Sequence, residues 1–198
     1  MPCKILTDMV TLGAKNVSIA LVHHPVVNKV GEIIGSAVTN LDLHDIARVA
    51  RTYGVGQYYL TTPYEDQQKL IGEIIAHWQT GHGGTYNPAR KEALSIVSMA
   101  GSIDAVIETI EQQHGRKPTV IATSAKVSEN TLAYDKVREK LGLNEPILLL
   151  FGTAHGLAPE VMNRVDFVLP PIDGGTDYNH LPVRAAVAII MDRLLGWE

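Results

Sequence analysis

The sequence predicts an α/β domain with a parallel or mostly parallel sheet of about six strands, flanked by helices. Three observations carry that expectation. Short β-branched runs alternate with longer amphipathic stretches along the chain. Ile147 to Phe151 (ILLLF) is apolar without interruption, as in parallel strands covered on both faces. Apolar residues are 45% and charged residues 19% of the 198, which supplies a real core and excludes a disordered chain. No repeat, low-complexity tract or linker divides the sequence. Residues 1–198 therefore read as one domain, with 1–16 a weakly patterned arm.

Val17 to His23 (VSIALVH) reads as the first strand. Asp42 to Tyr53 reads as a helix, with Leu43, Ile46, Ala47 and Ala50 at helical spacing and Asp42 as N-cap. Gly54 and Gly56 punctuate before a second strand, Gln57 to Thr61. Glu65 to Thr80 is the next helix, with Leu70, Ile74 and Trp78 on its inner face. Gly81 to Arg90 (GHGGTYNPAR) has the composition of a surface loop. Leu94 to Ala100 is a third strand, and Ser102 caps a helix reaching about His114. Thr119 to Thr123 is a buried strand, Asn130 to Leu141 a helix closed by Gly142, and Val165 to Leu169 a short last strand. Asn179 to Leu195 is the final helix, with Asn179 as its cap. It is apolar nearly all round, so it is buried in the core or between subunits.

Composition narrows the function. With 17 Lys+Arg against 21 Asp+Glu the net charge is -4, which argues against coating nucleic acid by bulk positive charge. The single Cys3 excludes an internal disulfide or a cysteine metal cluster and points to a reducing, cytoplasmic setting. No run approaches the roughly 18 apolar residues of a membrane span, and Met1 to Gly13 lacks a signal pattern. His23, His24, His44, His155 and His180 fall near strand ends or helix starts. None forms an H-x-x-x-H pair, so no metal site is expected. Neither G-x-x-x-x-G-K-[ST], nor G-x-G-x-x-G after the first strand, nor G-x-S-x-G occurs.

Ligands of parallel sheets collect outside the carboxyl ends of the strands. Three segments of unusual composition fall there: Ala122 to Lys126 (ATSAK), Phe151 to Leu157 (FGTAHGL) and Leu169 to Arg184 (LPPIDGGTDYNHLPVR). Their glycines let backbone approach a ligand closely, and their prolines stiffen the loops without adding donors. Such loops suit an adenine ring read by main-chain hydrogen bonds in an apolar slot.

These residues carry a resemblance. Phe151-Gly152-Thr153-x-His155-Gly156-Leu157, then Leu169-Pro170-Pro171-Ile172, then Asn179-His180-Leu181-Pro182-Val183-Arg184-Ala185-Ala186 resemble the knotted SPOUT RNA methyltransferases. The first motif is echoed by Asn40 and by Arg48 six residues before Gly54. The likeness runs from about Val17 to the C-terminus and is close to a bacterial S-adenosylmethionine-dependent RNA methyltransferase-like branch. It implies a C-terminal trefoil knot, against the general rule that chains avoid knots. It also implies a homodimer through the last helix region, an RNA substrate (tRNA or rRNA, base or ribose) and S-adenosylmethionine as methyl donor. The donor would lie against Thr123, Ser124 and Ala125; Phe151, Gly152, Thr153, His155 and Gly156; Leu169, Pro170 and Ile172; and Asn179, His180, Leu181 and Val183. One departure stands out: the ribose methyltransferases read Ser-Leu-Asn-Val-Ser where this chain has His180-Leu181-Pro182-Val183-Arg184.

Arg48 is the family-matched residue for orienting phosphate or acceptor, and Arg51, one turn on, would make a phosphate fork with it. Lys29, Arg90, Lys91 and Lys126 would extend a basic rim. Asp177 would accept a proton from a purine nitrogen, as an acidic residue does in the guanine-directed branch. Two other readings compete. One is a non-catalytic module of the same fold that binds S-adenosylmethionine or RNA. The other is a generic nucleotide-using α/β enzyme with an unknotted sheet.

Overall fold

The computed structural model describes residues 14–196. Most of the expected arm, 1–13, lies outside the described residues, whereas Ala14 is buried against the core. β1 (Val17–Val22) is buried along its whole length. After the cis His24–Pro25 peptide comes an antiparallel hairpin, β2 (Val26–Val27) with β3 (Ile33–Ile34). Two-residue strands are too short to show a period, so patterning misses them.

α1 spans Asn40–Thr52. Its cap is Thr39, not Asp42: the Thr39 hydroxyl accepts from the Asp42 backbone N–H at 3.2 Å, leaving Asp42 inside the first turn. Leu43, Ile46, Ala47 and Ala50 are buried, as their spacing predicts. β4 (Gln57–Thr61) and α2 (Glu65–Gln79) follow. Ile71 is the fully buried residue of α2, whereas Leu70 is 41% exposed. The helix is rolled by one residue from the predicted phase, with Ile74 and Trp78 half-buried.

Gly81 to Arg90 is not a loop. It folds into α3 (His82–Tyr86) and the start of α4 (Pro88–Leu94). Asn87 caps α4 by accepting from the Arg90 N–H, and Pro88 suits the first helical position. Because Leu94 closes α4, β5 (Val97–Ala100) starts later than expected. α5 (Ile103–His114) is capped by Ser102 and ended by Gly115 at φ +70°. β6 is Thr119–Ala122.

α6 covers Tyr134–Gly142, so Asn130 is not helical. Residues 130–132 run beside the last strand instead. The Asn130 carbonyl accepts from Val168 N–H and the Leu132 N–H donates to the Val168 carbonyl, each at 2.9 Å. β7 (Ile147–Gly152), α7 (Pro159–Met162) and β8 (Phe167–Val168) come next. α8 is Val183–Leu195, and its cap position is Pro182, not Asn179.

The six-stranded sheet has the order β5-β4-β1-β7-β6-β8, and every pairing is parallel. Ile19, Leu21, Leu149 and Phe151 pack one face against α1, α6 and α8. Ala20, Val22, Leu148 and Leu150 pack the other against α5 and α7.

A polar link joins the ends of the two central strands. His23 is fully buried; its Nδ1 lies 3.0 Å from Ser36 Oγ. Ser36 Oγ is 2.6 Å from Thr153 Oγ1, and that hydroxyl donates to the Val22 carbonyl at 2.9 Å. His23 Nε2 has no partner. Burial lowers the His23 pKa from 6.5 to about 4, with Asp42 pulling it back only in part. The folded chain therefore binds fewer protons at His23 than the unfolded chain does. Stability from this group is complete above 6.5 and is lost as pH falls from there toward 4. Urea unfolding should show the protein less stable by about 2 kcal/mol at roughly pH 5 than at roughly pH 7.5. His23→Gln should flatten that dependence; an unchanged slope would show that other groups set it.

Candidate active site

Because the sheet is all parallel, every strand presents its carboxyl end on one edge. β7, β6 and β8 are neighbours, so the three segments singled out in the sequence leave that edge side by side. Backbone hydrogen bonds bind them together. Leu169 N–H donates to the Ala122 carbonyl at 2.9 Å, and both the N–H and the hydroxyl of Thr123 donate to the Leu150 carbonyl at 3.0 Å. Asn179, free of any capping duty, reaches back to donate to the Ala125 carbonyl at 3.4 Å. Tyr134 of α6 donates to the Pro170 carbonyl at 3.4 Å. Ser124 accepts from the Lys126 N–H in a local turn.

The segment after β7 folds back tightly. Ala154 sits at φ +51° and Gly156 at φ +113°, and Gly156 N–H closes the turn on the Thr153 carbonyl at 3.0 Å. His155 N–H donates to the Val27 carbonyl and Val27 N–H donates to the Gly156 carbonyl, which holds the turn against the β2 hairpin. A Cβ at Gly152 would stand 2.7 Å from the Leu157 nitrogen, so only glycine fits there. Phe151 and Leu169 are buried, while Gly152, Thr153, Gly156, Pro170, Ile172 and Val183 are half-buried along the same edge. Ala125, His155, Asp177, His180 and Leu181 are exposed.

Small residues, main-chain groups and apolar side chains dominate this edge, a donor set that fits an adenosyl group. Arg184 is drawn away from it, with Nε 3.3 Å from Asp42 and Nη1 3.4 Å from Asp45 on α1. Sequence reasoning missed this clamp, because residues so far apart give no local signal. Asp45 also lies 3.9 Å from Arg48, so a short chain of charges joins the start of α8 to Arg48. Arg48 is exposed. Arg51 does not share a fork with it, since its guanidinium is engaged by Glu92 of α4 at 2.6 Å. Asp177 lies in the exposed turn between β8 and α8, beside the Tyr178–His180 ring pair. Among the described residues no group of three His, Cys, Asp or Glu could hold a metal ion, and no helix is long and apolar enough to cross a membrane.

Comparisons with known proteins bear on this edge. The chain is 50% identical over 182 residues to a tRNA (guanine-N(1)-)-methyltransferase of Oleidesulfovibrio alaskensis, matching 92% of this chain and 42% of that protein. It thus spans under half the length of that relative, whose name describes the longer protein. An uncharacterized protein of Aquifex aeolicus is 44% identical over 183 residues, covering 92% of this chain and 89% of that one. The SpoU methyltransferase AviRb of Streptomyces viridochromogenes, solved with S-adenosylmethionine, superposes with a TM-score of 0.57 at 13% identity over 90% of this chain and 56% of that one. That likeness shows the fold. A family model described as SAM-dependent RNA methyltransferase matches residues 16–196, strand edge and first helix included, and the chain belongs to that family.

Proposed function

We propose that this chain itself transfers a methyl group from S-adenosylmethionine to RNA, at the edge formed by the ends of β6, β7 and β8. The observation that carries the reading is the convergence of three loops from adjacent strands, tied to one another through Ala122, Leu150 and Ala125. When bound, S-adenosylmethionine supplies an electrophilic methyl on a positively charged sulfur. Main-chain groups at 123–125, 152–156 and 169–172 would hold its adenosyl part, with Ile172 and Val183 as apolar walls. Asn179, His180 and Leu181 would close over it.

The chain's remaining work is positioning and proton transfer. Arg48 orients phosphate or acceptor, since a guanidinium stays protonated and cannot serve as a base. Asp177 takes a proton from a base nitrogen. A ring nitrogen needs less activation than a ribose hydroxyl, and the loss of the Ser-Leu-Asn-Val-Ser pattern favours a base as acceptor. The reading takes the chain as a single functional domain. It also includes a trefoil knot, closed where the segment from Leu169 to Pro182 returns from β8 to dock α8 on α1, past the loop after β6. A homodimer fits the half-exposed Ala185, Ala188 and Ile189 on α8.

Calorimetry with S-adenosylhomocysteine should show one site per chain, lost in Gly152→Val. Retained binding in that variant would move the donor elsewhere. Radiolabelled methyl incorporation into unmodified RNA should fall about 100-fold in Arg48→Ala, with S-adenosylhomocysteine binding intact. Donor binding with no incorporation into any RNA pool would instead make the chain a binding module.

A further inference from the structure

The segment read as a surface loop from its sequence contributes Arg90 to a second concavity, formed mainly by α2 against α1 on the flank facing away from α8. Its volume is about 410 Å³, within the roughly 300–1,000 Å³ typical of small-ligand sites. Ile74 and Trp78 of α2 form its apolar part, and Asn40, His44, Glu73 and Arg90 its polar part. The indole of Trp78 is the hub. Arg90 lies over its ring at 5.1 Å, and the rings of His44 and His77 meet it edge-on at 5.4 and 5.3 Å.

The wall behind the concavity is closely packed. Gly83 and Gly84 of α3 are buried against α2: a Cβ at Gly83 would stand 2.7 Å from the His77 ring, and one at Gly84 would strike the Trp78 carbonyl. Asn87 fixes the first turn of α4 and with it Arg90.

Two groups there lack protein partners. His44 Nδ1 and Arg90 Nε are both buried and make no hydrogen bond. Among the described residues Arg90 has no carboxylate within salt-bridge distance, unlike Arg51 or Arg164. Burial lowers the pKa of His44, with Arg90 and Arg48 adding to the shift and Asp45 opposing it. Arg48 itself sits one turn along α1 from His44. Aromatic and imidazole rings, an uncompensated guanidinium, a carboxylate and an amide around one hollow match the edges of an unstacked nucleobase, with positive charge at hand for its phosphate.

We propose that this hollow binds an unpaired nucleotide of the RNA substrate, with its base against the wall formed by Trp78, His44 and Arg90 and its phosphate toward Arg48, separate from the methyl-donor site. The inference rests on RNA being the substrate and adds a recognition pocket to that reading. Its test uses intrinsic fluorescence. The chain has two tryptophans, so Trp197→Phe leaves Trp78 as the reporter. Titration with each ribonucleoside 5′-monophosphate and with a single-stranded oligoribonucleotide should quench emission saturably. Inorganic phosphate alone should not.

Arg90→Leu, checked for folding by circular dichroism, should weaken binding about tenfold or more, the scale of one lost base contact. Glu73→Gln, at an exposed position, should change which base is preferred. S-adenosylhomocysteine affinity should be unaltered in both variants. The proposal is overturned if no nucleotide quenches, if phosphate quenches equally, or if neither variant alters the titration. Absence of S-adenosylhomocysteine binding in the parent protein would instead sink the methyl-transfer reading and leave the pocket standing.

Discussion

The parallel pairing of β1 with β7 is the constraint on which the molecule depends. Val17 to Val22 align with Ile147 to Gly152, so strands some 130 residues apart in the chain lie edge to edge at the sheet's centre. Both are buried on both faces, and their side chains enter both halves of the core. Loop-closure entropy for so long an intervening chain is modest, because it grows only logarithmically with length. The apolar area removed from water readily exceeds it. Once β7 is fixed beside β1, β6 and β8 can only extend the sheet on β7's far side. The three loops that follow them then have no choice but to emerge together. The hydroxyl chain through Ser36 and Thr153 adds direction to this pairing, since it is satisfied only when the ends of β1 and β7 coincide.

α1 is the wall shared by the proposed loop-edge site and the Trp78 hollow. Its Asp42 and Asp45 hold Arg184 at the start of α8, and on another side His44 faces the hollow lined by Trp78. Half-exposed ion pairs of this kind contribute at most about 1 kcal/mol each, so their value lies in position and not in stability. They set the angle at which the chain leaves the last loop and enters the last helix. Replacing the small polar residue of the ribose methyltransferase pattern by an arginine therefore removes a hydroxyl from the loop edge and adds a clamp behind it.

The sheet was legible because long buried runs such as ILLLF admit few alternatives. The three loops were legible because glycine and proline cluster only where backbone geometry demands them. The less readable parts share a physical cause. Thr39 against Asp42, two residues of similar capping propensity, and Pro182 against Asn179, the better capper by type, are both decided by where tertiary packing starts the helix. GHGGTYNPAR misled because its glycines mark close approach to Trp78 and not a flexible turn. Asn130 has the look of a helix start, yet edge pairing with Val168 supplies its segment with better hydrogen bonds. Distance in sequence hid the Arg184 clamp and the Arg51–Glu92 pair alike.

The acidic balance of the chain sits beside the proposed RNA-modifying role without conflict once the pairing of charges is followed. Arg51, Arg116, Lys136, Lys140, Arg164 and Arg184 are each held by a carboxylate within the protein, so they contribute little field outside it. Arg48 is only loosely met by Asp45 at 3.9 Å, and Arg90 rests on an indole face that leaves its charge intact. Both belong to the neighbourhood of α1, between the loop edge and the Trp78 hollow. Arg48 and Arg90 thus keep their charge beside the proposed loop edge and the Trp78 hollow, whereas those six are engaged in internal pairs. For the proposed methyl transfer to RNA, affinity built on these two arginines would draw on few phosphates and more on base contacts.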